Sequence, residues 1–403
     1  MTASPEVEAS TVLPAEAHLT SLLRRAAAWI GLYILRPIGQ ILLFIAISAV
    51  VMSVLAILVG VIFRTPWHGI DILKTRWPRI DLLQQVWIQL PNMLVDGITI
   101  GFVYAMIALG YTMVYGVLQF VNFAHSEIFM VGGVVGYEVM QMLRQAQILT
   151  TFPPVLLVIL MVMAAMVVSG VLAVAVERIA YKPLRKAPRL VPLISAIGVS
   201  FFLQDLVRAI QAIHRNEFNM AYPTSDIPFL NQRFQLAPGV LVSMNAVILV
   251  VVSMVMLVGL NYFVSATKIG KGIRAVSQDQ ETASLMGINV NLMISLTFLL
   301  GGALGGAAGV LFGLKTTNIT PYVGFIPGLK AFTAAVLGGI GNITGALLGG
   351  LMLGLLESFF SSLLPYFPAL GTGYRDIFAF AILILILIFR PTGLLGRRVD
   401  EKV

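Results

Sequence analysis

Long apolar stretches, interrupted at intervals by short polar ones, dominate this chain. An uncharged run covers Pro37–Phe63, and after position 91 candidate spans follow closely: Met93–Gly116, Asn122–Met142, Val155–Val176, Val191–Ile213, Val240–Val264 and Leu292–Leu314. A Gly-rich apolar region, Phe325–Leu364, and a run near Gly373–Phe389 complete the series. Most approach the ~20 residues a helix needs to cross a bilayer. The pattern predicts an all-α polytopic membrane protein.

The polar interruptions set the sidedness. Glu177–Arg189 carries Arg178, Lys182, Arg185, Lys186 and Arg189, so it is expected on the cytoplasmic side. Alternation then puts Arg215–Arg233 outside and Lys268–Asn291 inside. The tail Arg390–Val403, with Arg390, Arg397, Arg398 and Lys402, is also expected inside, so Phe325–Leu364 must cross twice. A fold-back at Gly338–Asn342 predicts a half-helix Pro327–Leu337 and a fuller helix Ile343–Leu363. With the first run, the chain has about nine to ten membrane segments. Two stretches, Val121–Gly133 and Tyr322–Gly339, each run from a polar or Pro/Gly break through an aromatic residue to paired glycines. Broken helices at matching places point to an inverted repeat with a passage between its halves.

Three regions follow: a polar tail at 1–36, an extra anchor and interfacial connection at 37–90 containing Trp67, Trp77 and Trp87, and a membrane domain at 91–403. Asp81–Leu90 reads as an amphipathic helix.

Composition removes whole classes of function. With 58% hydrophobic residues, 11% charged residues and a mean hydropathy of +0.94, a water-soluble enzyme is excluded. There is no cysteine, so disulfides, thiolate metal sites and cysteine nucleophiles are excluded. The histidines His18, His68, His125 and His214 are isolated, and no metal site is expected. The net charge of +8 is spread over connections, without a basic run interleaved with aromatics, so no nucleic acid is expected. No G-x-x-x-x-G-K-[ST] occurs, so no nucleotide is hydrolysed here. Gly339-Ile340-Gly341 follows no strand and is not a dinucleotide turn.

Two glycine ladders, Gly301/Gly305/Gly309/Gly313 and Gly341/Gly345/Gly349, strip side chains from one helix face and predict close helix packing. In the membrane region, His125 and Glu127 with Asn122 and Ser126 open the second span of the domain, and Lys330 starts the half-helix. Such groups are costly in lipid and are therefore candidate pathway residues. Asp205 and Arg208, spaced i,i+3, could neutralise each other, and Glu177-Arg178 reads as an end anchor.

Lys268–Asn291 is a polar island between two long apolar runs. Ser277 with Gln280 fits a capping box, Asp279 and Glu281 fall in a first turn, and Gly287 suits a helix stop, predicting a short helix over 278–286. Ala283 and Met286 offer an apolar edge that can dock on another protein. The order Glu281-Thr282-Ala283-x-x-x-Gly287 resembles the Glu-Ala-Ala-x-x-x-Gly loop of ATP-binding-cassette (ABC) import permeases.

The resemblance then extends over nearly the whole chain beyond position 91. GYTMVYG and NFAHSE within Gly110–Glu127, ERIAYKPLR at Glu177–Arg185, LISAIGVSFFLQ at Leu193–Gln204, GLKAFTAAVLGGIG at Gly328–Gly341 and PTGLLGR at Pro391–Arg397 resemble the LivH-type permease of branched-chain amino-acid ABC importers. Ser126 departs from the glycine usual there, and residues 1–90 exceed the usual length. The resemblance implies a bacterial inner-membrane subunit, surrounded by membrane lipid, that imports leucine, isoleucine or valine. It implies a second, LivM-type permease, two cytoplasmic ABC ATPases holding ATP and magnesium, and a periplasmic binding protein. This chain would hold no cofactor, and 268–291 would be its coupling loop. The same permease type also moves urea, amides and other neutral amino acids. An ion-gradient carrier would usually place several ionisable groups at mid-membrane and would have no use for a docking helix, and a membrane enzyme would need a nucleophile–base or metal motif.

Overall fold

The structure, a computed structural model, describes residues 31, 35–64, 82–185, 187, 188, 190–366, 372–390 and 392–396. The chain divides into two compact units, 1–44 and 45–403. Most of the expected tail, and the connection at 65–81, lie outside the described residues. Helix α1, Arg36–Arg64, occupies the first apolar run.

The second unit is helical, with small strand pairs at one end. Helix α2 (Leu82–Leu118) is continuous through Pro91, so the amphipathic segment and the span expected to be separate are one 37-residue helix. Gln119, at φ 58°, stops it. Helix α3 (His125–Gln145) follows the break, then α4 (Pro154–Val176), which runs on through a π turn, Glu177–Tyr181, into a 3-10 turn, Lys182–Leu184. Helix α5 is Leu190–His214.

The next connection holds strand β1 (Met220–Ala221) and a hairpin of β2 (Arg233–Ala237) and β3 (Val240–Ser243), antiparallel and irregular between Gln235 and Ala237. The span expected from Val240 therefore begins only at Met244: Ser243 caps helix α6 (Met244–Ala266) by accepting from Ala246 N–H. Helices α7 (Lys268–Gln278) and α8 (Gln280–Leu285) fill the polar island. Helix α9 (Val290–Thr316) leads to β4 (Asn318–Ile319), which pairs with β1. Helices α10 (Phe325–Gly338), α11 (Ile343–Leu363) and α12 (Arg375–Phe389) complete the order.

Among the described residues, seven helices are long and apolar enough to cross a membrane: α1, α2, α4, α5, α6, α9 and α11. Helix α3 has 21 residues but is more polar, and α10 and α12 are shorter.

Two glycine-rich helices organise the packing. Helix α9 lies against α2, α3 and α4, and α11 lies against α2 and α10. A methyl on Gly309 would overlap the backbone of Phe129 and Gly133 on α3, and one on Gly306 would crowd Ala165 and Ser169 on α4. Gly345 and Gly349 admit the backbone of α10, while Gly350 and Gly354 admit that of α2. With no apolar drive between helices in lipid, this close backbone approach and the contacts it permits hold the helices together. Gly341 does not belong to the ladder: it stands outside α11 at φ +91° with open space around it, so it is a turn residue. The fold-back comes where expected, with Asn342 capping α11 by accepting from Gly345 N–H.

The strand end is tied down from inside. Tyr222 enters between Gly136 and Gly313, and its hydroxyl donates to Gly133 O. Burial pushes this phenol well above its ordinary pKa, so it remains a donor.

Candidate functional site

The break before α3 and the start of α10, distant in sequence, meet in space. Gly328 lies against the side chain of Ser126, so closely that a methyl there would overlap it, and Gly324 faces the carboxylate of Glu127. Of the expected pathway residues, Asn122, His125, Ser126 and Glu127 are buried around this junction.

Each is fixed by the elements around it. Asn122 Oδ1 accepts from the Tyr181 hydroxyl at 2.6 Å, tying the break to the π turn after α4. His125 packs edge-on against Tyr111, with ring centroids 4.9 Å apart, in the space left by Gly110 and Gly305. Ser126 Oγ donates to Phe123 O at 2.7 Å. Glu127 is fully buried, and its Oε1 accepts from Gln204 Nε2 at 2.9 Å and Ser200 Oγ at 3.1 Å on α5, and from Ser126 Oγ at 3.3 Å. Two neutral donors, Gln204 and Ser200, serve that oxygen, with the Ser126 hydroxyl shared between it and Phe123 O, and among the described residues no cation pairs with it. A mainly apolar cavity of about 170 Å³ lies beside Ser126, between Tyr111, Ser200, Phe201 and Leu329.

Lys330 is not part of this group. It lies in a larger cavity of about 540 Å³ between α2, α9, α10, α11 and α12. Its Nζ is 2.9 Å from Glu357 Oε1 and 2.8 Å from Asp376 Oδ1, and it stands 5.7 Å above the Tyr104 ring. Tyr104 donates to Glu357 Oε2 at 2.6 Å, and Arg375 Nε lies 3.6 Å from both Glu357 and Asp376. Glu357, Arg375 and Asp376 were not singled out in the sequence. The only sign available was that Glu357 is a lone carboxylate in an apolar run.

At the opposite end of α9, the polar island forms two helices instead of one. Ser277 is not the cap: its hydroxyl donates back to Arg274 O at 2.8 Å within α7. Asp279 breaks the helix in extended backbone and caps α8, accepting from Glu281 N–H at 2.9 Å and Thr282 N–H at 3.0 Å. Gly287, at φ +82°, ends α8 with paired bonds from Gly287 N–H to Ser284 O and from Ile288 N–H to Ala283 O, a Schellman stop. The apolar edge is also different. Ala283 is 4% exposed and belongs to the buried apolar cluster that also holds Phe120, Ala173 and Ile294, whereas Leu285 is 89% and Met286 78% exposed. The edge open to a partner is therefore Leu285 and Met286. Gln280 Nε2 donates to Val117 O at 2.7 Å and ties α8 to the end of α2.

Glu177 is an interior tie and not an end anchor. It is buried, accepts from Ser295 Oγ at 2.7 Å and pairs with Arg185, which also donates to Asn291 Oδ1 at 2.7 Å. Arg208 stands 5.9 Å from the Phe218 ring, and no Asp205–Arg208 ion pair forms among the described residues. No group of His, Asp and Glu suited to a metal ion occurs among the described residues.

Comparison with known proteins covers the same region. Residues 93–387 match the family described as "Branched-chain amino acid transport system / permease component". The chain is 42% identical over 312 residues to the high-affinity branched-chain amino acid transport system permease protein BraD of Pseudomonas aeruginosa, covering 77% of this chain and 97% of that one. It is 41% identical over 312 residues, with the same coverage of both chains, to LivH of Escherichia coli K12, which carries the same description. A probable branched-chain amino acid transport permease protein LivH of Methanocaldococcus jannaschii is 28% identical over 304 residues, 74% of this chain and 89% of that one. No solved structure matches the chain.

Proposed function

We propose, from the premise that this chain belongs to the family of branched-chain amino acid transport system permease components, that it forms the membrane passage of an ATP-driven importer for leucine, isoleucine or valine. The observation that carries this reading is the meeting of two helix starts, at Ser126 and Gly328, next to cavities of about 540 and 170 Å³. A helix start inside a membrane presents a positive dipole end that favours a carboxylate, worth typically 0.3–1 kcal/mol.

The energy comes from partners: two cytoplasmic ATPases holding ATP and magnesium, with a second permease of the LivM type and a periplasmic binding protein completing the assembly. Leu285 and Met286 on α8 are the surface a partner ATPase would grip. Movement of α8 passes to α2 through Gln280 and Val117, because that bond ties α8 to the end of α2. Asp96, Ile100 and Tyr104, near the middle of α2, line the larger cavity, so tilting α2 changes that cavity. Residues 1–90, with α1 as an anchor, are accessory to this 91–403 permease domain.

The test pairs Leu285→Arg with Met286→Arg. Both side chains are exposed, so permease folding should be unaffected, while ATPase recovered per permease and leucine uptake into vesicles supplied with the binding protein should both fall steeply. Wild-type recovery together with wild-type uptake would refute the coupling role.

A further inference from the structure

We propose that the 540 Å³ cavity is a binding site on this chain for the α-ammonium and α-carboxylate of an amino acid with an aliphatic side chain, and that Arg375 and Asp376 are its ligand-facing pair. The inference deepens the transport reading and rests on it for the class of ligand. Its volume falls in the range of about 300–1,000 Å³ usual for small-molecule sites.

The first argument is place. The cavity is lined by Phe312, Lys315 and Thr316 near the end of α9, whereas α7 and α8 lie before the start of that helix. The 25 residue-to-residue steps from Val290 to Lys315 span roughly 37 Å at 1.5 Å each, about the depth of a bilayer. The cavity therefore lies near the end of α9 far from α7 and α8, on the side from which an imported solute would arrive.

The second argument is charge. Three cations, Lys315, Lys330 and Arg375, and three carboxylates, Asp96, Glu357 and Asp376, share the cavity wall, with Lys315 and Asp96 paired to each other at 2.6 Å. A balanced wall accepts a zwitterion without leaving a net charge in low dielectric, and disfavours a cation or an anion of the same shape. The apolar remainder, including Ile100, Phe312, Val323 and Ile326, suits a branched aliphatic side chain.

The third is graded exposure. Lys330 and Glu357 are 4% and 11% exposed at the side chain, and Glu357 is held on both oxygens, by Tyr104 and by Lys330. That pair forms a fixed floor. Asp376 and Arg375 are 29% and 42% exposed, and the two contacts of Arg375, at 3.6 Å, are the longest in the cluster. An incoming carboxylate can take Arg375 at little loss, and an ammonium can take Asp376 while Lys330 keeps Glu357. Charge-assisted bonds are made to the ligand as weaker internal ones are given up.

The test uses the assembled permease–ATPase complex in nanodiscs without the binding protein, with radiolabelled leucine as the probe. Leucine should bind saturably. Leucinamide, which lacks the carboxylate, and 4-methylpentanoate, which lacks the ammonium, should each compete about 10- to 100-fold more weakly. The charge-neutral double variant Arg375→Gln, Asp376→Asn should weaken leucine by a similar factor. The analogue series needs no variant, so it decides the matter even if the double variant fails to assemble. No saturable leucine binding in a complex that still imports leucine with the binding protein, or competition by both analogues as strong as that of unlabelled leucine, would overturn the site and leave the transport reading standing. Failure of the complete complex to import leucine would instead strike the transport reading itself.

Discussion

Replacing Gly306 by alanine on α9 tests whether close helix packing holds the junction in place. A Cβ there would stand 2.5 Å from Ala165 O and 2.7 Å from both Ser169 Cβ and Oγ. Restoring an ordinary separation of about 3.4 Å requires α4 to retreat by about 0.9 Å, and a gap of 0.5–1 Å forfeits a quarter to a half of the dispersion well for each contact along the seam. The Ser169 hydroxyl, which donates to Ile128 O at 3.2 Å, would move with α4 and release the first turn of α3, next to Glu127. Overpacking costs about 1–3 kcal/mol and the loosened bond about 1 kcal/mol more, so the loss should be about 2–4 kcal/mol. Gly259→Ala is the control. Nothing lies within 4 Å of that position on α6, and the better helix former should be neutral or gain up to about 1 kcal/mol. Heating both variants in detergent and following the monodisperse fraction by size exclusion gives the comparison. A Gly306→Ala protein as heat-stable as wild type would refute the packing argument.

The other predictions are narrower. Ala283→Arg should lower heat stability as well as ATPase recovery, because the residue is buried against the permease; an effect on recovery alone would show that α8 turns its other edge inward. Gly287→Val should cost about 1–2 kcal/mol from its positive φ, read as a lower melting temperature; no change would show that another stop replaces it. Glu127→Gln keeps an acceptor for Gln204 and Ser200 and should preserve assembly, whereas Glu127→Ala leaves those donors unpaired at about 1–3 kcal/mol each; equal heat stability of the two variants would remove this structural role. Deleting residues 1–81, which leaves α2 whole, should leave a complex that transports at reduced yield, and complete loss of uptake in a normally assembled complex would place the extension on the pathway.

Helix positions were readable in the chain because the apolar runs are long and the polar breaks are rich in glycine and proline. The fold-back before Asn342 and the stop at Gly287 followed from local chemistry. Three-dimensional proximity did not. Lys330 could be singled out by its cost in lipid, but its partners Glu357 and Asp376 are 27 and 46 positions away on other helices, so no local pattern joins them. Ser277 and Asp279 both satisfy capping chemistry. The choice between them depends on α7 continuing to Gln278, which places Ser277 inside a helix. Ala283 follows the same rule: an apolar residue on a short helix fits a partner's groove or its own protein's core equally well, and only the folded cluster that also holds Phe120, Ala173 and Ile294 decides. Pro91 suggested a boundary, yet α2 runs through it because 37 residues of helix have neighbours along most of their length.

The end of α10 also constrains how the protein is made. The carbonyls of Leu337 and Gly338 accept from Leu394 and Leu395 N–H, and Asn342 Nδ2 donates to Leu395 O. Those donors are translated 57 residues after the acceptors, counting from Gly338 to Leu395. At about 5–20 residues per second, the half-helix waits roughly 3–11 s for its closing bonds. During that interval its last carbonyls must be met by water or by the insertion machinery, so the short helix settles only after α11 and α12 have been threaded.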